Sequence, residues 1–479
     1  MNLSDLPNNA FTDPTGDNLK DVQEMLDTVL RKVLAFSSNA ESHDPLPEYN
    51  LWNRSFDLPE KPAAEDELMR LVESALHRSM NPLNSRYIGH MDSMPSTASQ
   101  ATDLVAAAIN NNMLSAEMSP FFTRLEKELT SLLAAQFGLG DESGGVMTSG
   151  GSLANLQALT VARNVMLDTQ SKGLHHHSGQ PVILASEAAH TSLQKAAMIM
   201  GLGSDGVRSV RTDSKSKMDP DALKTILKEI GQTNQRPFCL VATAGTTTTG
   251  NIDPLPELAE IAKKHQLWLH VDAAYGGALI FSGQYNHLLK GIEQADSITF
   301  NPQKWMYVAK TSAMVLFRDM NLLHEQFQIG APYMKQGNTV SNLGEISVQG
   351  TRHADVLKLW LTMHQIGKQG FGQLIDESYE LTSHMRHQIE QRSFLELASD
   401  PEMNILCFRG KPDHLPENQW DNWNTKLNEY LLDKANFFLS LPTYRGHRWQ
   451  RAVLLNPYTE KSHISELFEH IDYYLELSK

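Results

Sequence analysis

The chain has 479 residues, 41% of them hydrophobic and 20% charged, which excludes a disordered protein and exceeds what one ordinary hydrophobic core organises. Acidic residues outnumber basic ones 56 to 41 for a net charge of −15, so nucleic acid and anionic membrane are not expected as main partners. The two cysteines, Cys239 and Cys407, each lie inside an apolar run, which argues against a disulfide framework or a cysteine-built metal centre and fits a reducing cytoplasm.

The opening stretch, MNLSDLPNNAFTDP, lacks the basic start and apolar run of a secretory signal, and no later apolar run reaches the roughly 18 residues of a membrane span. From Asp17 to Phe36, Leu19, Val22, Met25, Leu26, Val29, Leu30, Val33 and Leu34 recur at threes and fours, which predicts an amphipathic helix. It stands apart from the pattern that follows, and its apolar face packs either on a partner subunit or on the chain's own core. A second helix is predicted near 65–79. Residues 85–95 read SRYIGHMDSMP, small residues then lead into the helix TDLVAAAINNNML, and 119–136 forms another helix with Pro120 in its first turn.

Residues 147–163, MTSGGSLANLQALTVAR, run from a strand end through Gly150 and Gly151 into a helix beginning near Ser152. Two glycines let the backbone approach closely, and the free amides of a helix start attract an anion such as phosphate. The spacing is neither that of a Walker loop nor that of a dinucleotide fingerprint. The triplet His175-His176-His177 precedes a strand and reads either as a loop or as metal ligands. From 181 to 318, strands (PVILAS, VRSV, FCLVATAG, LWLHVDA, SITF, SAMVLFR) alternate with helices near 188–200, 219–230 and 253–265. This alternation predicts an α/β fold, a mostly parallel sheet covered on both faces. Asp219-Pro220 and Asp253-Pro254 are each predicted to start a helix, with the acid as N-cap.

The chemistry gathers at the carboxyl ends of these strands, where open α/β sheets bind ligands. LWLHVDAAYGG ends in Asp272 followed by small residues, among them Ala274, that let a flat ring approach; the bland alternative is an acid that caps a helix. One helix-and-strand unit later, SITFNPQKWMYV breaks at Asn301-Pro302 and delivers Lys304. A lysine amine forms a Schiff base with a carbonyl if its site supplies the neutral form, and an acid opposite a pyridinium nitrogen keeps a pyridoxal ring an electron sink. His190 follows PVILAS on the same side. Residues 326–350 are rich in Gly, Asn, Ser and Gln and read as a mobile loop, a candidate lid. A long helix from 353, another at 371–391, and short strands (FLELAS, MNILCFRG, RAVLLNP) follow, a smaller α+β domain beginning near 355. Arg451 begins one of these strands, where it either caps a surface edge or points at an anionic substrate.

Taken together, SGGSLANL with His190, HVDAAYGG and NPQKW, in that order and spacing from about residue 50 to the end, resemble the group II pyridoxal phosphate-dependent amino-acid decarboxylases, which act on aromatic amino acids, glutamate, cysteine sulfinate, aspartate or diaminobutyrate. The resemblance implies the fold of the aspartate aminotransferase type (fold type I), with N-terminal helices over 1–85 embracing a partner, a large domain over 86–354 and a small C-terminal domain over 355–479. It implies pyridoxal 5'-phosphate as cofactor, a homodimer with shared active sites and no metal. By the same resemblance Lys304 carries the internal aldimine, Asp272 pairs with the ring nitrogen, His190 stacks on the ring, and Gly151, Ser152 and Asn301 bind the phosphate. Thr246, in ATAGTTTTG, and Ala274 then lie beside the cofactor, while His90 and Arg451 contact the substrate.

Two departures from the family pattern stand out. The loop tyrosine that reprotonates the α-carbon is absent just before ISVQGTRHADVLKLW, where SNLGE stands; the nearest is Tyr333, so either Tyr333 or His190 substitutes, or the product is an aldehyde. Gln303 replaces the usual histidine before the lysine. The expected activity is decarboxylation of an L-amino acid to its amine, with aldehyde synthase and aminotransferase or lyase chemistry as alternatives. His90, Met91, Asp92 and Ser93 occupy a pocket segment that is aromatic in aromatic-amino-acid members; Asp92 either pairs with a cationic side chain or is a turn residue facing water.

Overall fold

The computed structural model describes residues 6–47, 58–176, 178–330 and 342–479. Helix α1 (Leu19–Ser38) leans on α2 (Glu65–His77), and Lys32 pairs with Glu73 across them. None of the residues of α1 is buried, and Leu26, Leu30 and Leu34 are about half exposed. Helix α3 (Thr97–Ile109) begins earlier than the sequence pattern predicts because Ser96 caps it, its hydroxyl accepting from Ser99 N at 3.2 Å. It stops at Asn110, which is left-handed at φ 49°. Helix α4 (Pro120–Gln136) carries Glu126 into the interior.

The central sheet is built from β1 (Gly144–Thr148), β2 (Gln180–Ser186), β3 (Val207–Val210), β4 (Gln235–Thr243), β5 (Trp268–Asp272), β6 (Ser297–Phe300) and β7 (Ala313–Phe317), in the order β1-β7-β6-β5-β4-β2-β3. Strands β2 to β6 pair parallel, and β7 runs antiparallel to both β1 and β6. Every residue of β1, β5, β6 and β7 is buried. Successive residues of a strand face opposite ways, so both faces of the sheet are covered; mainly apolar runs meet that requirement, with His270, Ser297 and Thr299 as buried polar exceptions. The covering helices are α5 (Gly151–Leu167), α6 (Ser192–Ile199), α7 (Pro220–Ile230) and α8 (Leu255–Lys264). Helix α5 crosses β4, β5, β6 and β7 on small residues such as Ala154, Ala158 and Ala162, all fully buried.

The two Asp-Pro helix starts behave differently. Asp219 caps α7, accepting from Asp221 N and Ala222 N. Asp253 does not cap α8: it is 2% exposed, and its two oxygens accept from Met218 N at 2.7 Å and Thr243 N at 2.8 Å. The amide at the end of β4 and that of Met218 just before α7 need an acceptor there, and the carboxylate supplies one to each. His175 and His176 sit in a single 3-10 turn, Leu174–His176, while His177 lies outside the described residues.

After α9 (Met320–Phe327), the predicted loop is described up to 330 and again from 342. Its returning limb is tied down: Gln157 Nε2 donates to Ile346 O at 2.7 Å, Gln157 Oε1 accepts from Val348 N at 3.2 Å, and Gln349 Oε1 accepts from Ser149 N at 3.0 Å. Tyr333 lies outside the described residues. Arg352 then enters the core and makes a two-pronged bond to Glu126 (3.1 and 2.9 Å), which also accepts from Met147 N at 2.9 Å. The span α10 (Val356–Glu390) divides at Gly367, where φ 70° and ψ 163° are not helical, into the two helices the sequence predicts. Strands β8 (Leu395–Leu397) and β9 (Ile405–Gly410), helix α11 (Trp420–Asp433), the short pair β10 (Thr443–Tyr444) and β11 (His447–Arg448), strand β12 (Gln450–Val453) and α12 (Lys461–Leu477) complete the chain. Strands β12, β9 and β8 form an antiparallel sheet over a second core that includes Phe408, Trp423, Phe468 and Ile88. Among the described residues no helix is long and apolar enough to cross a membrane.

Candidate functional site

Four strand ends, those of β1, β4, β5 and β6, and one helix start converge on a cavity of ≈ 360 Å³. β1 delivers the turn Ser149-Gly150 and the first turn of α5, where Gly151 is required by space: a Cβ there would lie 2.8 Å from Asn301 Nδ2. β5 ends on Asp272, and β6 ends one residue before Asn301, after which a turn closed by Lys304 N donating to Asn301 O at 3.0 Å sets Lys304 in the cavity wall. A second cavity of ≈ 370 Å³ lies between α10 and residues 454–462, but its charged lining, Glu377, Glu380, Glu460 and Lys461, is exposed and does not converge on a reacting centre.

Of the residues singled out in the sequence, Gly151, Ser152, His190, Asp272, Ala274, Asn301 and Lys304 all line the first cavity, as does Gln303. Burial pulls the lysine amine below its ordinary value, against the opposing Asp272 and Asp92 carboxylates, and Arg451 lowers it further. Its Nζ lies 4.0 Å from Met91 Sδ. Asp272 accepts from Asn155 Nδ2 at 2.8 Å and from Ala274 N at 3.1 Å. Burial also lowers the basicity of His190, with Asp272 opposing, and its Nδ1 accepts from Ser192 N at 3.2 Å.

Thr246 is set back from the wall between the lining residues Gly245 and Thr247. Its hydroxyl is turned to Thr249 Oγ1 (3.0 Å) and Asn251 N (3.1 Å), so it braces the turn. Arg451 points inward and is 6% exposed. Its guanidinium donates to Thr247 O (2.7 Å) and Gly89 O (2.9 Å) and lies 3.2 Å from His90 Nδ1; burial and then Arg451 push His90 down, so His90 accepts. Its Nε is buried without a partner. Asp92 is half-buried and not free: it pairs with Lys310, a partner that the pocket segment itself does not reveal.

The donor set fits pyridoxal phosphate. The Thr243 hydroxyl is buried without a partner at the cavity, and the Asn301 side-chain amide, whose Nδ2 can donate, lies against Gly151. The amides at the start of α5 suit a phosphate, a carboxylate suits a protonated ring nitrogen, and an amine of lowered basicity suits a carbonyl.

Two residues missed in the sequence complete the site. Asn155, on α5, bonds Asp272 and also donates to Ser192 Oγ at 2.9 Å, linking the acid to the turn that carries His190. His270 lies fully buried two residues before Asp272. Burial pushes its imidazole down from 6.5, with Asp272 opposing. The unfolded chain therefore binds a proton that the folded chain refuses, so this contribution is intact above pH 6.5 and is lost as pH falls below it. Stability should decline on acidification by up to about 1.4 kcal/mol per pH unit from this group. Denaturant unfolding of wild type and His270→Gln, compared at about pH 7.5 and about pH 5.5, should show a shallower acid loss in the variant; equal loss would remove His270 as the cause.

The family described as "Pyridoxal-dependent decarboxylase conserved domain" matches residues 47–411. Aspartate 1-decarboxylase of Aliivibrio fischeri is 32% identical over 463 residues, covering 87% of this chain and 84% of that protein. L-2,4-diaminobutyrate decarboxylase of Acinetobacter baumannii is 29% identical over 423 residues, covering 85% and 83%. The crystal structure of mouse CSAD superposes with a TM-score of 0.89 at 27% identity, covering 96% of this chain and 99% of that one.

Proposed function

The chain belongs to the pyridoxal-dependent decarboxylase family, a carboxy-lyase of amino acids with pyridoxal 5'-phosphate as cofactor, and on that premise we propose that it converts an L-amino acid to its amine with Lys304 as the cofactor-holding amine. The observation that carries this reading is the convergence of Lys304, Asp272, His190 and the Gly151–Asn301 cradle on one cavity. Bound there, pyridoxal phosphate supplies a conjugated ring that accepts the electron pair left when carbon dioxide departs. Gly151, Ser152 and Asn301 Nδ2 would hold its phosphate, Asp272 would hold the proton on its ring nitrogen, and His190 and Ala274 would flank the ring. The depressed basicity of Lys304 leaves more of its amine neutral and nucleophilic near neutral pH.

His90 and Arg451 are read as the substrate-carboxylate contact. Arg451 would exchange one of its present acceptors, Thr247 O or His90 Nδ1, for the ligand. A charged substrate side chain of either sign would find a counter-charge by displacing one member of the Asp92–Lys310 pair. Tyr333 or His190 would return the proton to the α-carbon. The half-exposed leucines of α1 and Leu104 and Ile109 of α3 support a homodimer with shared sites. The two buried free thiols suit the cytoplasm, and the divisions near 85 and 354 separate the three parts of this reading.

A second reading is favoured by the segment in which the family's loop tyrosine is missing. Asn342, Leu343 and Glu345 are all buried. Asn342 accepts from Ala116 N at 3.1 Å, and Glu345 accepts from Gln328 Nε2 at 2.8 Å and Asn342 Nδ2 at 3.2 Å. None of them offers a proton to the cavity, which leaves room for an aldehyde product. Carbon dioxide, amine and peroxide release by the pyridoxal phosphate-loaded protein, across a panel led by L-aspartate and L-2,4-diaminobutyrate, separates the readings. Amine without peroxide is expected for one amino acid; stoichiometric peroxide would establish aldehyde synthesis, and keto-acid-dependent amine exchange without carbon dioxide would overturn both.

A further inference from the structure

Behind Asp272 a line of buried polar groups runs away from the cavity into the sheet. Asp272 Oδ2 meets Asn155 Nδ2 at 2.8 Å, Asn155 Oδ1 meets His270 Nε2 at 3.1 Å, His270 Nδ1 meets Ser297 Oγ at 2.9 Å, and Ser297 Oγ meets Trp268 Nε1 at 2.8 Å. All five residues are 7% exposed or less. Both ends of the line have a fixed sense, because an indole N–H only donates and an ionised carboxylate only accepts.

The interior follows from those ends. Asn155 must turn its NH₂ to Asp272, and the second N–H of that group goes to Ser192 Oγ at 2.9 Å. Its carbonyl oxygen therefore faces His270 and the Thr299 hydroxyl, which donates to it at 2.6 Å. A ring nitrogen facing that oxygen must carry a hydrogen, so His270 is the Nε2–H tautomer and its Nδ1 is a bare acceptor. Ser297, already accepting from Trp268, has its own hydrogen free to give to Nδ1. The opposite tautomer would set two lone pairs against each other at 3.1 Å and leave the serine hydrogen without its partner; the Thr299 hydroxyl, 3.4 Å from Nε2, could relieve it only by giving up its 2.6 Å bond to Asn155 Oδ1. Burial also holds the ring neutral.

We propose that Trp268, Ser297, His270 and Asn155 form a one-way hydrogen-bond wire, every donor pointing toward the cavity, that positions Asp272 and strengthens its hold on the cofactor's ring nitrogen. Chained bonds of one sense polarise one another, so a donor three links away adds to the last. The proposal rests on the reading that Asp272 faces that nitrogen. Asn155 alone of the four reaches the cavity wall, and all four act through Asp272 as positioning residues.

Two measurements test it. The ring-nitrogen NMR signals of ¹⁵N-histidine-labelled, cofactor-free protein, with His270 assigned by His270→Gln, should show a protonated Nε2 and a bare Nδ1 that stay unchanged from about pH 8 down to about pH 6. A protonated Nδ1, or a charged ring, overturns the wire whatever the cofactor does. In holoenzyme loaded with ring-¹⁵N pyridoxal phosphate, Ser297→Ala and Trp268→Phe should each weaken proton retention by the ring nitrogen and lower kcat, with KM within about twofold and the combined loss about tenfold. Asp272→Asn is the control. If it moves the nitrogen signal and neither wire variant does, the wire is overturned while the Asp272 reading stands. If Asp272→Asn leaves the signal unmoved, that reading fails and the proposal fails with it. Should the variants not fold, the tautomer in the wild-type protein decides.

Discussion

Replacing Lys304 by alanine is expected to lower turnover by on the order of 10⁵-fold or more and to remove the absorbance band of the lysine-bound cofactor. The chain itself should tolerate the change. The lysine Nζ has one weak described contact, Met91 Sδ at 4.0 Å, and the substitution removes an amine whose charged form burial disfavours. Unfolding should therefore be close to wild type, and pyridoxal phosphate should still bind, held by the Gly151–Asn301 cradle and Asp272 and released by dialysis. Absorbance spectroscopy before and after dialysis, with turnover on the identified substrate, checks each part. Persistence of both the band and turnover would remove Lys304 from the reaction.

The largest stability effect is expected at Arg352. Its two-pronged bond to Glu126 lies at 5% and 1% side-chain exposure, and Arg352→Met leaves a carboxylate in the core with only Met147 N as partner. Breaking one side of such a pair costs about 3–5 kcal/mol, because the remaining charge is buried without compensation. Replacing both partners, Glu126→Leu with Arg352→Met, should recover much of that loss, since apolar pairs of similar volume are often neutral in such sites. Denaturant unfolding of the two single variants and the double variant measures the difference. Equal destabilisation in single and double variants would show that packing rather than charge sets the effect.

The central sheet was legible because most of its strands are buried on both faces and so read as short, mainly apolar runs closed by a polar or small residue, the edge strand β3 excepted. The break in α10 was legible for a local reason too, a glycine able to adopt φ 70°. Lys304, Asp272 and His190 could be placed because a strand end puts the next side chain at one edge of the sheet. What stayed hidden depends on partners distant in sequence. The two Asp-Pro pairs look alike, but Asp253 is drawn inward by Met218 and Thr243 amides while Asp219 caps its own helix. Thr246 sits among four threonines in TTTT, and only the fold shows that its hydroxyl faces Asn251. His270 and Asn155, whose contact sets the tautomer behind Asp272, come from a strand and a helix with three of the seven sheet strands between them in the chain, and no short motif joins them.

The antiparallel strand β7 has a further consequence, for the order of assembly. In the sheet, β1 has β7 as its one strand neighbour, and β7 is the last of the seven to be made. The glycine turn after β1 and the asparagine after β6 that cradle the anion are thus held side by side by a strand synthesised after both. A nascent chain that has passed Lys304 but not Phe317 carries every cavity residue and lacks the piece that docks β1 into register. Long-range pairings of this kind form slowly, after the loops between them have closed. Vitamin capture is consequently expected late in biosynthesis, because a ribosome-stalled fragment ending before β7 has both halves of the binding pocket without the seam that joins them.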